Sequence, residues 1–476
     1  MKNNKRFFRL VSILLIAVML LQVTGCNMVT GKGESEEVVI EAMEPAEVYK
    51  YSFDAIGGED VMPIIAFYGP ATSAYSYNGN TLPDYYSEEF FELIAGTGIN
   101  MIGYNGTDYK NYPNFVVKML ELAEKKGMGL LVNDSRILAD DLTIEQVDNY
   151  INDYSNYAAY CGNYIKDEPY HTEYRNTASE GVFVEDFASI FTTMTELGHF
   201  GYGNLFPIGL GPDEAYQQYI DDYLELCNPV YLGYDLYPFN KEEGLQNSEN
   251  YFKNIFVMRE AADKAGLPYY AFAQCGSQWN DNQLHFDTEG YYPNRGQFFW
   301  NVGTLLACGA KGIQYFMLIQ PYWFAYSLTE PFDFQRNGLI GAWGNKTRWY
   351  YYAQDMNAQI AAVDEVLMNA ANVGVIATAE DVKTHMGDAG EYLMEGTSWR
   401  ELKGASGEAL IGCFNYQGKT ALYVVNYDME YAQKINLDFV KNCNVTVIQD
   451  AKESNISGNN LELTLSAGNS ALVVFE

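Results

Sequence analysis

The stretch Cys161-Gly-Asn-Tyr-Ile-Lys-Asp-Glu-Pro169 joins a mostly apolar run to two adjacent acids and a proline. It contains the fourth of eight strand-like runs that alternate with helix-like segments. In a (β/α)8 barrel, the C-terminal ends of the strands build the active site. The sequence therefore predicts that Asp167 and Glu168 close the fourth strand at a position suited to acid–base chemistry.

The barrel itself is predicted from the segments on both sides of this stretch. Strands are expected at residues 61–68, 99–104, 129–133, 162–166, 200–208, 230–235, 269–274 and 312–318. Helices are expected at 87–98, 114–127, 143–158, 184–198, 213–226, 248–266, 294–309 and 346–370, five of them ending at a glycine. One closed barrel explains eight such pairs better than two doubly wound domains. A doubly wound sheet would also need a glycine-rich phosphate loop after its first strand, and none is present.

A change of pattern near residue 372 marks a second domain. Short alternating runs are found at 374–378, 409–415, 420–426, 434–439, 444–449, 461–465 and 470–475. Turn residues separate these runs, which is typical of an antiparallel β-sandwich. The domains are therefore predicted as a barrel over residues 50–371 and a sandwich over 372–476. A buttressing role is favoured for the sandwich, with carbohydrate binding as the alternative.

The N-terminus resembles a bacterial lipoprotein signal. Four basic residues precede an apolar run at residues 10–21, and Gly25-Cys26 follows it. The run is shorter than the ~20 apolar residues that a spanning helix needs. The resemblance implies a cleaved signal (1–25), a lipidated Cys26, a flexible tether (26–49) and a location at the extracellular face of the cell membrane. An ordinary signal peptide or an uncleaved anchor is the less favoured alternative.

The amino-acid composition restricts the classes of partner and cofactor that the protein is expected to bind. The net charge of −33 disfavours nucleic acid, and any membrane contact must come from lipid rather than from basic residues. Six cysteines besides Cys26 form no CxxC pair, so buried free thiols are expected, with a Cys413–Cys443 disulfide left open. The four histidines are too scattered for a metal motif. No metal or other cofactor is predicted.

Further site residues are predicted at the ends of the other strands and in the following loops. Asp235 follows the sixth strand and supplies a third acid, next to Asp167 and Glu168. Like-charge repulsion from Asp167 is expected to raise the pKa of Glu168, and Lys166 would oppose that rise if it lay close. The predicted substrate-binding residues are Tyr68, Asn105, Asn133, Arg136, Tyr170, Tyr237, Gln274, Trp279, Gln320 and Trp323. Any one of these side chains alone is as well explained by packing or by a solvated loop.

The Asp-Glu-Pro motif and the Gly309-Ala-Lys-Gly-Ile313 entry to the eighth strand resemble the clan of (β/α)8 glycoside hydrolases. The resemblance covers roughly residues 50–370 and extends to the appended β-domain. It implies hydrolysis of glycosidic bonds in oligo- or polysaccharides, with Glu168 as the general acid/base. The clan's nucleophile is a glutamate that ends the seventh strand, and this chain has Gln274 there.

The adjacent Asp-Glu pair is also similar to that of substrate-assisted N-acetylhexosaminidases, which need no protein nucleophile. On that resemblance Asp167 orients the acetamido group of the substrate, with Tyr237 as a helper. Two alternatives to a glycosidase remain. One is a catalytically silent surface barrel that binds carbohydrate, which Gln274 allows. The other is a lipid-anchored solute-binding protein, which the eight strand–helix units and the terminal sandwich disfavour.

Overall fold

The fold was obtained as a computed structural model. It describes residues 40, 43–44, 46–71, 76–77, 80–169, 184–209, 213–239, 248–276, 292–321 and 337–476. Within these residues the part from 64 to 368 forms a parallel barrel with its helices, and the part from 370 to 476 forms an antiparallel β-domain.

All eight predicted barrel strands are confirmed. They are β1 (Ile64–Ala66), β2 (Met101–Ile102), β3 (Gly129–Asn133), β4 (Tyr160–Asp167), β5 (Gly201–Asn204), β6 (Leu232–Tyr234), β7 (Tyr269–Gln274) and β8 (Gly312–Phe316). Parallel pairing connects neighbours from β1 to β5, and β6 through β7 and β8 back to β1. Between β5 and β6, Leu205 forms a parallel bridge with Tyr234, and its N–H donates to the carbonyl of Gly233 at 2.8 Å. This contact closes the barrel.

The eight predicted helices are present as well. They are α1 (Glu88–Ala95), α2 (Pro113–Lys125), α3 (Ile144–Ile151), α4 (Val184–Glu196), α5 (Asp213–Cys227), α6 (Ser248–Ala265), α7 (Arg295–Ala307) and α8 (Arg348–Met368). The capping box expected from Thr143 and Gln146 begins α3. The five glycines expected at helix ends (Gly98, Gly127, Gly198, Gly266 and Gly309) all have positive φ. Local signals in the sequence thus set the helix boundaries to within a few residues.

The interior of the barrel is filled by large side chains. Phe67, Tyr202, Tyr231, Tyr270 and Phe272 are all buried in one cluster inside the ring of strands. A second cluster packs the outer faces of the strands against the helices. The barrel is therefore a packed core that opens only at its ends, as barrels of this size are.

The C-terminal domain is one seven-stranded antiparallel sheet that folds around its own core. Its strands are β9 (Ala370–Ala377), β10 (Leu402–Ser406), β11 (Ala409–Tyr416), β12 (Lys419–Asn426), β13 (Gln433–Gln449), β14 (Lys452–Leu465) and β15 (Ser470–Phe475). The sheet folds because the first half of β13 pairs with β10 and its second half with β15.

Three details of this domain differ from the sequence prediction. The runs at 434–439 and 444–449 are one long strand, since a register shift between Asp438 and Cys443 absorbs the break in alternation. Strand β10 was missed because its sequence, LKGAS, has little apolar alternation. A short helix, α9 (Glu380–Met386), was also missed, and a 3-10 helix (Gly387–Tyr392) follows it.

The β-domain packs on helix α7 of the barrel through closely approaching backbones. A Cβ atom on Gly412 would lie 2.1 Å from the carbonyl oxygen of Ala307, and one on Gly468 would lie 1.9 Å from that of Gly296. Asn372 donates to the same Ala307 carbonyl at 3.0 Å. These contacts need glycine at both positions, because any side chain there would push the two domains apart.

Two further expectations concern membranes and cysteines. Among the residues described above, no helix is long and apolar enough to cross a membrane. The six cysteines predicted to be free thiols are free, and Cys413 and Cys443 form no disulfide. Cys26 lies outside the described residues, so the lipid anchor stays a prediction.

Candidate active site

Three acids meet at the C-terminal ends of β4 and β6. Asp167 is the last residue of β4, Glu168 follows it, and Asp235 follows β6. Strand β5 lies between them and ends at Asn204. Because the strands are parallel, all four side chains lie at the same mouth of the barrel. Each of the three acids is partly exposed, so a ligand entering the mouth reaches them.

The backbone at the end of β4 is irregular. The pairing of β4 with β5 shifts between Tyr164 and Lys166, and Glu168 has a positive φ of 48°. Strict alternation, which would direct Lys166 the same way as Glu168, is therefore broken. The amine of Lys166 lies 5.8 Å from the centre of the Phe187 ring on α4. Its positive charge still lowers the pKa of Glu168 to some extent, as expected.

One buried asparagine contacts all three acidic residues, two through its side chain and one through its backbone. Nδ2 of Asn204 donates to Asp235 Oδ1 at 2.8 Å and to Asp167 Oδ1 at 3.1 Å. The backbone carbonyl of Asn204 accepts from the N–H of Glu168 at 2.8 Å. Asn204 is only 2% exposed. The end of β5 therefore holds the ends of β4 and β6 in register.

Glu168 holds its proton more strongly than an ordinary glutamate. Burial raises its pKa, and the charges of Asp235 and then Asp167 raise it further, to about 9. A hydrogen bond between Glu168 and Asp235 acts in the same direction, because the protonated Glu168 donates it. Glu168 is thus the acid of the cluster with the highest pKa.

The two aspartates have smaller shifts. Burial and then the charge of Asp235 raise the pKa of Asp167 to about 7, against the hydrogen bond from Asn204. Burial also raises the pKa of Asp235, but hydrogen bonds from Asn204, Glu168 and Tyr237 limit it to about 6. The environment thus separates one acid that stays protonated from one that ionises, which is the arrangement that acid–base catalysis needs.

Aromatic rings surround these acids on the side of β1, β2, β4 and β8. Tyr104 and Tyr164 have ring centres 4.6 Å apart, and Tyr68 lies 5.5 Å from both Tyr104 and Phe316. All four rings are partly exposed. Burial raises the pKa of all three tyrosines, and the negative charge of Asp167 adds to that rise. Such rings form a surface suited to stacking against the apolar face of a sugar.

Two predicted substrate-binding residues, Gln274 and Arg136, have side chains that are bonded to other groups of the protein. Gln274 is 1% exposed; its amide donates to the carbonyls of Phe239 and Gly276 and accepts from the N–H of Phe239. Arg136 makes a bidentate ion pair with the fully buried Asp134 and also contacts Asp153. Both side chains stabilise the loops after β7 and β3, and substrate binding by either residue stays a prediction.

The remaining predicted residues fall into four groups. Tyr237 touches the acids, because it donates a hydrogen bond to Asp235. Asn105 and Gln320 are buried after β2 and β8, where their oxygens accept the backbone N–H groups of Thr107 and Asn337. Asn133 ends β3 and is partly exposed. Tyr170, Trp279 and Trp323 lie outside the described residues.

Sequence reasoning missed Asn204, Tyr104, Tyr164 and Phe316 as site residues. Asn204 had no clear signal, because the strand expected over 200–208 placed it mid-strand, whereas β5 ends at Asn204. The three aromatic residues had none, because a ring inside a strand is usually core. No cluster of potential metal ligands is found among the residues that the structure describes.

No protein-family model and no curated protein sequence matches the chain. Solved structures do match. A family 5 glycoside hydrolase from Bacteroides vulgatus ATCC 8482 is 11% identical with a TM-score of 0.47, and the match covers 87% of this chain and 88% of that one. A family 51 α-L-arabinofuranosidase from Bifidobacterium longum is 11% identical over 91% of this chain and 98% of its own, with a TM-score of 0.46. Xylanase 10B from Thermotoga maritima is 14% identical over 64% and 97%, with a TM-score of 0.42.

Similarity at this level does not bear on activity. The chemistry of the site therefore rests on its own residues.

Proposed function

We propose that the protein is a glycoside hydrolase that cleaves oligo- or polysaccharides with Glu168 as general acid/base. One observation carries the proposal. A protonated Glu168 and a more acidic Asp235 are hydrogen-bonded to each other at the mouth of the barrel, among partly exposed aromatic rings. Glycoside hydrolysis needs such a pair, one acid to protonate the leaving oxygen and one carboxylate to stabilise or trap the sugar cation.

The first step follows from the proton's position. Glu168 donates its proton to the glycosidic oxygen while the bond from C1 to that oxygen breaks. Asp235, ionised at neutral pH, forms a bond to C1 and gives a glycosyl ester. The ionised Glu168 then removes a proton from a water molecule, which attacks C1 and releases Asp235 as a carboxylate.

The contact between Glu168 and Asp235 favours this route over single-step inversion. Inverting enzymes separate their carboxyl groups by about 6.5–9.5 Å, because a water molecule must fit between one of them and the sugar. A hydrogen bond between Glu168 and Asp235 places the two carboxyl groups nearer to the about 5–5.5 Å separation of retaining enzymes than to that range. A substrate-assisted route, in which Asp167 orients an acetamido group, remains the alternative; Asp167 lies near Tyr237, the helper expected in that route.

A second candidate function is carbohydrate binding without turnover. It is favoured by Gln274, which occupies the position of the clan's nucleophile and has its amide fully bonded by the protein. The two functions differ in turnover. A screen of natural oligosaccharides and nitrophenyl glycosides, N-acetylhexosaminides included, should give hydrolysis by the wild type and much less by Glu168→Gln. Saturable glycan binding with no product from any substrate would instead support the second function.

We also propose that the protein is anchored outside the cell membrane by lipid on Cys26. The support is the lipobox-like sequence that ends at Gly25-Cys26. Replacing Cys26 with Ser should release the protein or leave its signal uncleaved. If the processed variant still partitions into membranes, the anchor lies elsewhere.

A further inference from the structure

We infer that Asn204 is a positioning residue that keeps the acidic proton of the site on Glu168. The inference rests on the proposed hydrolase and names a residue that neither the sequence motifs nor the clan resemblance identified. Its basis is that one side chain donates to both aspartates while its backbone carbonyl accepts from Glu168.

The direction of these hydrogen bonds decides where the proton lies. An amide nitrogen only donates, so the oxygens of Asp167 and Asp235 that face Nδ2 must accept. Donation from the amide stabilises the ionised form of each aspartate over its protonated form. Glu168 receives nothing from the Asn204 side chain, and it shares a hydrogen bond with Asp235. A single proton among the three acids is therefore most stable on Glu168, which then donates to Asp235.

The orientation of the amide is itself informative. Oδ1 of Asn204 is buried, and it has no hydrogen-bond partner among the described residues. A buried carbonyl without a partner is unfavourable. Rotating the amide would satisfy nothing, because Oδ1 would then face two acceptor carboxylates. The side chain thus keeps both of its N–H groups on the acids although its oxygen stays unpaired.

The backbone bond acts on Glu168 directly. Glu168 adopts a left-handed conformation (φ 48°), which residues with a side chain rarely adopt. Its N–H is held by the carbonyl of Asn204 at 2.8 Å. The end of β5 therefore helps to fix the orientation of the proton donor as well as the charge of its partners.

Other groups around the acids do not compete for this role. Lys166 is the nearby cation that lowers the pKa of both Asp167 and Glu168. Within the described residues, the other titratable groups that the charges of the three acids influence are Tyr68, Tyr104, Tyr164, Tyr202, Tyr216, Tyr219, Tyr231 and Tyr237. Burial raises the pKa of each of these tyrosines, so they stay neutral through the range in which the acids titrate. Among the side chains described, Asn204 is thus the one that donates to both aspartates.

The test compares Asn204→Ala with Asn204→Asp, which keeps the shape of the side chain and loses its donors. The matched control is Asn163→Ala. Asn163 is a fully buried amide on β4 whose Nδ2 donates to the Val132 carbonyl and the Tyr154 hydroxyl, so its loss affects packing but not the acids.

The primary readout is an infrared titration of the protonated carboxyl band in protein without substrate, with Glu168→Gln used to assign the Glu168 contribution. Losing a hydrogen bond to a charged group should raise the titration of the aspartates by about 1–2 pH units. Both Asn204 variants should show this shift, and Asn163→Ala should not. An unshifted titration, or an equal shift in the control, would overturn the inference.

In active enzyme the same shift should appear as an upward move of the acidic limb of the kcat/KM profile. A loss of activity that is uniform across pH would show that Asn204 is only structural. If the wild type hydrolyses no glycoside, the infrared titration still decides the role of Asn204, so the failure of one proposal is distinguishable from the failure of the other.

Discussion

The two ends of the barrel both bury titratable groups, and they do so in opposite ways. At the C-terminal mouth, Asp167, Glu168 and Asp235 face each other and remain partly exposed. At the N-terminal end, the amine of Lys311 is buried where β8 begins, and burial followed by repulsion from Lys50 lowers its pKa to about 7. Lys311 donates to the carbonyl of Leu367 at the end of α8 and to that of Ala370, which begins β9.

The two ends differ in the groups that bond to their buried titratable side chains. Lys311 is bonded to fixed backbone atoms, and it connects the last barrel helix to the first strand of the β-domain. The acids at the mouth are bonded to one another and to Asn204, and they keep a surface that a ligand can reach. A displaced pKa therefore indicates burial in both places, and only the arrangement of partners indicates chemistry at one of them.

The largest effect is expected from Asp235→Asn. If Asp235 bonds to C1, its loss removes the covalent step for every substrate. The rate should fall on the order of 10⁴-fold or more, the scale seen when a catalytic nucleophile is removed. The measurement is kcat/KM on both natural and nitrophenyl glycosides. A severe loss in Asp167→Asn instead, confined to acetamido substrates, would transfer the mechanism to the substrate-assisted route.

The next effect is expected from Glu168→Gln and depends on the leaving group. Removing a general acid typically costs about 10²–10⁴-fold in rate. Natural glycosides should lose the most, because nitrophenolate leaves without protonation. Equal losses on both substrate types would contradict the role of Glu168 as proton donor.

Lys311→Met, at the N-terminal end of the barrel, should reduce stability and leave activity nearly unchanged, unlike the two variants at the C-terminal mouth. It leaves the carbonyls of Leu367 and Ala370 without their donor, at a cost of about 1–3 kcal/mol for each unsatisfied buried group. The melting temperature should fall by several degrees while kcat/KM stays within about twofold of the wild type. A large loss of activity in soluble, folded Lys311→Met would remove the distinction between the two ends.

The smallest effect concerns the pH dependence of stability. As pH rises, the contribution of Glu168 to stability falls and that of Lys311 grows. The pKa of Glu168 is raised in the folded protein, so its contribution is fully present near pH 4.5 and is lost as pH rises towards 9. The pKa of Lys311 is lowered, so its contribution grows between about pH 7 and 10.5. Glu168→Gln should therefore raise the melting temperature at pH 8–9 by a few degrees relative to its change at pH 5, and Lys311→Met should show the reverse trend. Parallel curves for both variants would contradict these assignments.

Most of the fold was predictable from the sequence because its signals are local. The capping box at Thr143 and the glycines at the helix ends each act within one or two turns. Strand β10 and the long β13 were not predictable, because their pairing depends on residues far away in the chain.

The site was predictable only in part. Asp167, Glu168 and Asp235 were identifiable as acids at strand ends, and barrel geometry brings strand ends together. The bonding of Gln274 and Arg136 was not, since the Phe239 backbone and Asp134 that engage them are chosen by the tertiary structure. The orientation of Lys166 was not predictable, because a register shift between Tyr164 and Lys166 breaks the alternation of side chains in β4.

Whether Glu168 carries the proton of the site can be measured from the pH profile of the wild type on an unactivated oligosaccharide. We expect kcat/KM to stay high through neutral pH and to fall along an alkaline limb near pH 9, as Glu168 ionises. A decline centred near pH 4.5, where an ordinary glutamate ionises, or full activity of Glu168→Gln on the same oligosaccharide, would contradict it.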